Sequence, residues 1–325
     1  MMKRWLVLLL TLLLVGCQAT EFGKPMTFTR EAREGASTAP ESIPSDSEPS
    51  ASEDPAVPVP SEEVEAVDKT EPEETESEPE PTNPPAPLEA GLQADSVYTA
   101  LSNEDIGWWF QKGPPSTVEP RSGQLIEGHQ VYWRLDEEKP VIYLTFDQGY
   151  EYNDNTSKAL ATLKEKDAKA MFFVVGSYVD RNPELIEQII ADGHQLGNHS
   201  VDHLRPAKAL DVSIERFVRD VVDLQKKVPE MTMFYRPPEG GYSPRALQIL
   251  DDLGYTTVFW SFAYKDWLTD DQPDPVWAKQ YLLDNLFNGS IILLHTVSDT
   301  NMEILGDLID GIRAAGYRIE PLPVA

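Results

Sequence analysis

The chain has 325 residues, with 55 acidic against 27 basic side chains and a formal net charge of −28. A charge this negative argues against nucleic acid or any other anionic polymer as a partner and suits a neutral glycan. With a single cysteine, the chain has no internal disulfide.

The first residues have the pattern of an export signal. Lys3 and Arg4 precede an apolar run from Trp5 to Val15, which is short for a membrane span and suits the core of a signal peptide. The run ends at Leu14-Val15-Gly16-Cys17, which resembles a lipobox. Residues 1–16 are therefore expected to be removed, and Cys17 to take a lipid that anchors the protein to the outer face of the cell membrane. The alternative is a signal anchor in which the cysteine is incidental.

Residues 17–95 are dominated by Glu, Pro, Ser, Ala and Thr, with little material for a core. Between Thr20 and Ala100 stand 20 acidic and 4 basic residues. Such a segment buries too little apolar surface to offset the entropy of ordering, and like charges and prolines extend it. It is expected to be a disordered tether. Residues 96–140 are read as an N-terminal extension of the catalytic domain, and 141–325 as that domain itself.

From Val141 onward strand-like and helix-like runs alternate. Val141–Thr145 is apolar and β-branched, and Thr156–Lys166 reads as an amphipathic helix. Ala170–Val175 is a second buried strand. Pro183–Asp192 is a helix with Asn182 as its N-cap and Gly193 past its end. His194–Gly197 is a strand, Ser213–Val228 a helix, Met233–Arg236 a strand and Pro244–Leu253 a helix. Thr256–Trp260 and Ser290–Leu294 are strands on either side of a helix at Pro275–Leu286. Met302–Ala315 is the last helix, followed by Tyr317–Ile319. About seven β-then-α units with buried strands imply an α/β fold, a distorted (β/α) barrel with a parallel sheet. There is no glycine-rich dinucleotide fingerprint after the first strand and no P-loop.

In such a barrel the chemistry gathers where strands end. Four strand ends carry polar groups: Thr145-Phe146-Asp147-Gln148-Gly149, Asn198-His199-Ser200-Val201-Asp202-His203, Arg236-Pro237-Pro238-Glu239 and Leu293-Leu294-His295-Thr296. Asp266 lies beside Trp267 after the fifth strand. His199 and His203 are four apart, so on one helical turn both imidazoles face the same way and can share a metal ion. Asp147 could be a third ligand or a base. His129 and His194 are read as structural.

This ordered set resembles the polysaccharide deacetylase family, also called the NodB homology domain or carbohydrate esterase family four. Leu101-Ser102-Asn103, Ile106-Gly107-Trp108, Gly149-Tyr150-Glu151, Phe259-Trp260-Ser261 and Thr296-Val297-Ser298 are similar to the branch that deacetylates N-acetylmuramic acid in peptidoglycan. The resemblance implies a hydrolase of carbon–nitrogen bonds with a divalent metal, zinc, on His199 and His203. It also implies a cell-wall glycan substrate and a monomer. It makes Asp147 the general base toward the attacking water and Arg236 the partner that keeps Asp147 ionised. His295 becomes the acid that protonates the leaving amine, with Asp266 orienting it. Trp267 and Leu293 would wall the acetyl pocket, and a backbone N–H at Glu239 would hold the oxyanion. The plainer reading of Arg236 and Asp266 is a structural ion pair.

Gln148 departs from the family, which mostly has an acidic ligand at that slot; the muramic branch is similar in using an amide, Asn. Gln148 as a metal ligand thus depends on its reach, and Asp at 148 is expected to tighten metal binding. Three rivals remain. The substrate could instead be N-acetylglucosamine, chitin or O-acetyl xylan; the chain could be a non-catalytic glycan-binding lipoprotein; or it could be a lipoprotein solute receptor, for which one domain of this length is a poor match.

Overall fold

The computed structural model describes residues 88–324. The expected signal peptide, the lipid site at Cys17 and most of the tether lie outside the described residues.

Strands are built where apolar and β-branched residues run together. Those of the main sheet are β1 (Val131–Tyr132), β2 (Val141–Gln148), β3 (Met171–Val174), β4 (Gln195–Asn198), β5 (Phe234–Tyr235), β6 (Thr256–Val258), β7 (Ser290–His295) and β8 (Arg318–Ile319). They form one sheet in the order β7-β2-β3-β4-β5-β6-β1, with β8 paired to β2 and every pairing parallel. Beyond β6, Phe262 bridges in parallel to Ile292 of β7, and Ser261 N–H donates to the Ile291 carbonyl at 2.8 Å. The two flanks of the sheet therefore meet, giving the distorted barrel that the alternation of elements predicts. All eight residues of β2 are buried, which explains why it reads as an unbroken apolar run up to its polar end.

Among the described residues six principal helices wrap the sheet: α1 (Asn155–Glu165), α2 (Pro183–Ala191), α3 (Ile214–Lys227), α4 (Pro244–Asp252), α5 (Pro275–Asp284) and α6 (Asp299–Ala314). Their starts follow side-chain capping chemistry. Ser213, Ser243, Asp274 and Ser298 each accept the N–H three residues on, at 3.0, 3.1, 2.8 and 3.1 Å. On α6 the buried Ile304, Leu305, Leu308, Ile309 and Ile312 form the stripe that faces the sheet.

Three expectations need correction. Asn182 precedes α2 but caps nothing with its side chain; its amide donates to the Tyr178 carbonyl at 3.0 Å instead. Helix α6 begins at Asp299, three residues before the expected Met302, because its first turn is polar and Ser298 caps it. The folded domain also starts before residue 96. Leu88–Gly91 form a 3₁₀ turn, and Leu88 and Leu92 pack against the apolar cluster that includes Phe217 and Leu250. Glu89 meets Lys226 at 2.9 Å and Gln93 meets Asp252 at 2.7 Å. These eight residues look like tether in composition, yet two leucines and two polar contacts seat them.

The extension also supplies the edge strand β1. Trp108 stacks on Phe259, with ring centroids 4.2 Å apart and planes 7° from parallel, and its Nε1–H donates to the Trp260 carbonyl at 3.0 Å. The segment is thus part of the barrel wall.

Candidate active site

The parallel sheet puts all its carboxyl ends on one rim, and the singled-out residues stand there. Asp147 is the penultimate residue of β2, and His295 ends β7 in direct register with it. His199 follows the last residue of β4, Arg236 follows β5, and Asp266 lies beyond β6.

Arg236 is fully buried and organises the floor. Its Nη1 donates to Asp147 Oδ1 at 2.8 Å, Nε to the Val258 carbonyl at 3.2 Å and Nη2 to the Phe259 carbonyl at 3.3 Å. Its guanidinium carbon lies 4.1 Å from the centre of the Phe173 ring. Burial pulls its pKa down and Asp147 pushes it back, and an arginine so paired stays charged. Asp147 is 7% exposed. Burial alone would raise its pKa, but Arg236, His199 and His295 together outweigh this and hold the carboxyl below the usual range. At neutral pH it is a carboxylate with Oδ1 anchored.

His199 Nδ1 meets the Arg236 carbonyl at 2.7 Å. A carbonyl only accepts, so Nδ1 carries the proton and Nε2 keeps its lone pair. Burial lowers the pKa of His199 to about 4, with His203 adding to the fall and Asp147 opposing it, so the ring is neutral, the form that binds metal. Its Nε2 lies 3.6 Å from Asp147 Oδ2. His203 is exposed, with its ring centroid 4.9 Å from that of His199. The pair does come together, but not on a helical turn. Residues 199–205 form a loop in which Ser200 and His203 take left-handed backbone, φ 67° and 55°. The Asn198 side-chain oxygen accepts the Ser200 N–H at 2.9 Å, and Ser200 Oγ accepts the His203 N–H at 2.9 Å. The Asn-x-Ser spacing was the available sign of such a turn.

Across the rim, His295 Nδ1 lies 2.7 Å from Asp266 Oδ1, and the His295 N–H donates to Asp266 Oδ2 at 2.8 Å. Asp266 is fully buried and also accepts from Asn301 Nδ2 at 2.6 Å. Burial disfavours protonation of His295, but the Asp266 carboxylate outweighs it and raises the pKa. Arg236 and Asp266 thus serve different partners and do not pair with each other. Trp267 is 50% exposed, its ring centroid 5.9 Å from that of His295, and the buried Leu293 precedes His295 on the same face of β7. Glu239 takes left-handed backbone (φ 55°), and its carboxylate turns to Arg205 at 3.5 Å.

Gln148, next to Asp147, points to the opposite face of β2 and is fully buried. Its Nε2 donates to Thr156 Oγ1 at 3.2 Å and its Oε1 accepts from Thr296. Thr156 is bonded in turn to Glu151 and Tyr178. No hydrogen bond joins Gln148 to either histidine of the loop. Its amide instead ties β2 to α1 and to the segment after β7. Sequence reading missed these partners because 151, 156, 178 and 296 lie on separate elements. Gln148→Ala is expected to destabilise the fold by about 2–4 kcal/mol, through the cavity and the loss of its bonds to Thr156 and Thr296, as measured by urea denaturation.

Among the described residues, no group of three His, Cys, Asp or Glu side chains closes into a metal cage. Two imidazoles beside a carboxylate, one of them held neutral with a free lone pair, do fit a divalent ion that keeps open positions for water and substrate.

A parallel barrel with an ionised aspartate, an imidazole pair and a histidine whose cation a buried carboxylate favours, all on one rim, has the apparatus of a hydrolase that adds water to a carbonyl. The model of the polysaccharide deacetylase family matches residues 134–258. The peptidoglycan-N-acetylmuramic acid deacetylase PdaA of Bacillus subtilis is 34% identical over 230 residues, 69% of this chain and 86% of its own. The solved structure of that protein, described as a family 4 carbohydrate esterase, superposes with a TM-score of 0.63 at 33% identity, over 68% of this chain and 97% of the other. A peptidoglycan-N-acetylglucosamine deacetylase of Bacillus cereus is 28% identical over 193 residues, 58% of this chain and 89% of its own. The chain belongs to the polysaccharide deacetylase family.

Proposed function

We propose that this chain de-N-acetylates peptidoglycan, acting on N-acetylmuramic acid residues, with zinc held by His199 and His203. The observation that carries the reading is the register of His295 against Asp147 beside the imidazole pair: an acid and a base on adjacent strands flank one position for an acetyl group. Likeness to PdaA across nearly all of that structure, the N-terminal extension included, supports the muramic sugar. Export through residues 1–16 and a lipid on Cys17 would keep the enzyme at the outer membrane face, where its polymer lies, and the acidic stretch 17–87 would be the tether.

The chemistry follows from the protonation states. Asp147 Oδ2, with Oδ1 fixed by Arg236, takes a proton from water as its oxygen bonds to the acetyl carbon. A divalent ion, when bound, polarises the acetyl carbonyl and makes the water more acidic. The Glu239 N–H steadies the negative oxygen, and Trp267 and Leu293 confine the methyl group. His295 then gives its Nε2 proton to the sugar nitrogen. The C–N bond breaks, and acetate and a free amine leave. Asp266 supports the cationic imidazole until that proton goes.

Digestion of purified peptidoglycan followed by mass spectrometry of the muropeptides tests the reading. Loss of acetyl from the muramic residue is expected, and that loss should vanish after dialysis against a chelator. Loss from the glucosamine residue would move the substrate to the other sugar. No loss from either would favour a glycan-binding role.

A further inference from the structure

We propose that Asp220 is a positioning residue: from α3, behind the rim, it fixes the stretch of backbone between the two metal-binding histidines. This rests on the reading that His199 and His203 hold the ion.

The loop from His199 to His203 has two left-handed residues that are not glycine, a conformation costing on the order of 1 kcal/mol or more at each. Something must hold it. Asn198 and Ser200 take the N–H groups of Ser200 and His203. The two amides between, Val201 and Asp202, both go to Asp220. Its carbonyl accepts Val201 N–H at 2.9 Å, and its Oδ1 accepts Asp202 N–H at 3.0 Å. One residue of α3 thus binds both central amides, with main chain and side chain together.

The remaining contacts show how much depends on this grip. On one side the loop rests on Gly176, whose N–H lies 3.2 Å from the carbonyls of Ser200 and Val201. A Cβ there would come within 2.9 Å of Val201. On the other side, packing gives way to an open cleft of about 320 Å³ lined by Val201, Asp202, Arg216, Arg219, Asp220 and Asp223. Arg216 crosses this cleft, pairing with Asp202 and reaching Asp220 Oδ1 at 3.4 Å. Asp220 itself is 2% exposed, and among the described residues its Oδ2 has no hydrogen-bond partner. A carboxylate half unpaired in the interior is costly, and an apolar residue would serve α3 better. The acid makes sense where its accepting oxygen orders something else, and what it orders is the histidine loop.

Outer groups of this kind typically change metal affinity by roughly 10–100-fold when removed. In the metal-free full chain, titrated with zinc against a chromogenic chelator, Asp220→Ala is expected to bind roughly tenfold more weakly or worse. Asp220→Asn keeps an accepting oxygen and should stay close to wild type. In the unmodified chain without metal, the Val201 and Asp202 amides should exchange as slowly as those of α3, a readout that stands even if Asp220→Ala does not fold. Wild-type zinc affinity in Asp220→Ala overturns the proposal. So does equal loss in Asp220→Asn, or fast exchange of both amides. An unmodified chain that binds no zinc overturns the metal reading itself, a different result from a variant that binds as well as its parent.

Discussion

Asp147→Asn is expected to lower kcat/KM for acetate release by about 10²–10⁴-fold, the range that a positioned general base supplies. The asparagine keeps the shape and still offers Oδ1 to Arg236 Nη1, so the barrel rim persists. What goes is the site on Oδ2 for the proton of water. A second effect comes with it: Arg236, fully buried, loses its counter-charge. Its bonds to the Val258 and Phe259 carbonyls and its stacking on Phe173 remain. The expected loss of stability is therefore modest, about 1–3 kcal/mol, short of the collapse that follows when a buried charge has no partner at all. Acetate release and the thermal midpoint should be measured on the same preparation. Near-normal acetate release in a folded Asp147→Asn would remove this residue as the base.

That the rim could be read from sequence at all follows from the burial of parallel strands. In β2 and β7 an apolar run leads up to Asp147 and His295, so the change to polar groups marks the carboxyl end of the strand. The extension was harder. Strand β1 has two residues and is recognised only by its parallel pairing to β6, at Thr257 and Val258. Leu88 and Leu92 stand in a stretch rich in proline and acid, and the cluster they pack against, which includes Phe217 and Leu250, is drawn from residues far along the chain. In the site, the pairing of the histidines was legible from their spacing, but the conformation that pairs them was not. A helical turn and a loop with two left-handed residues both bring positions four apart together. The choice between them is made by Asn198 and by Asp220, the latter seventeen residues beyond His203 on another element. Gln148 shows the same limit: the amide stands beside the catalytic aspartate in sequence, and strand alternation turns it to the other face.

Asp266→Asn should reshape the pH dependence as well as slow the reaction. Two groups frame the active window. Asp147 must be ionised, and its carboxyl is held below the usual range, so the acid limb falls at low pH. His295 must be protonated to act as acid, and Asp266 raises its pKa above 6.5, so the alkaline limb lies above the ordinary histidine value. In Asp266→Asn the negative charge 2.7 Å from Nδ1 is gone while the burial that disfavours the cation stays. The alkaline limb should then move to lower pH, and kcat should fall by about 10²-fold or more because the imidazole is no longer oriented as a cation. Stability follows with the same sign. A histidine whose folded pKa exceeds its unfolded one contributes fully below the unfolded value and loses that contribution as pH rises through the folded value. The unmodified protein should lose this part of its stability on the alkaline side of 6.5, and Asp266→Asn should not. A pH–rate profile whose alkaline limb stays in place in Asp266→Asn would assign the general acid to some group other than His295.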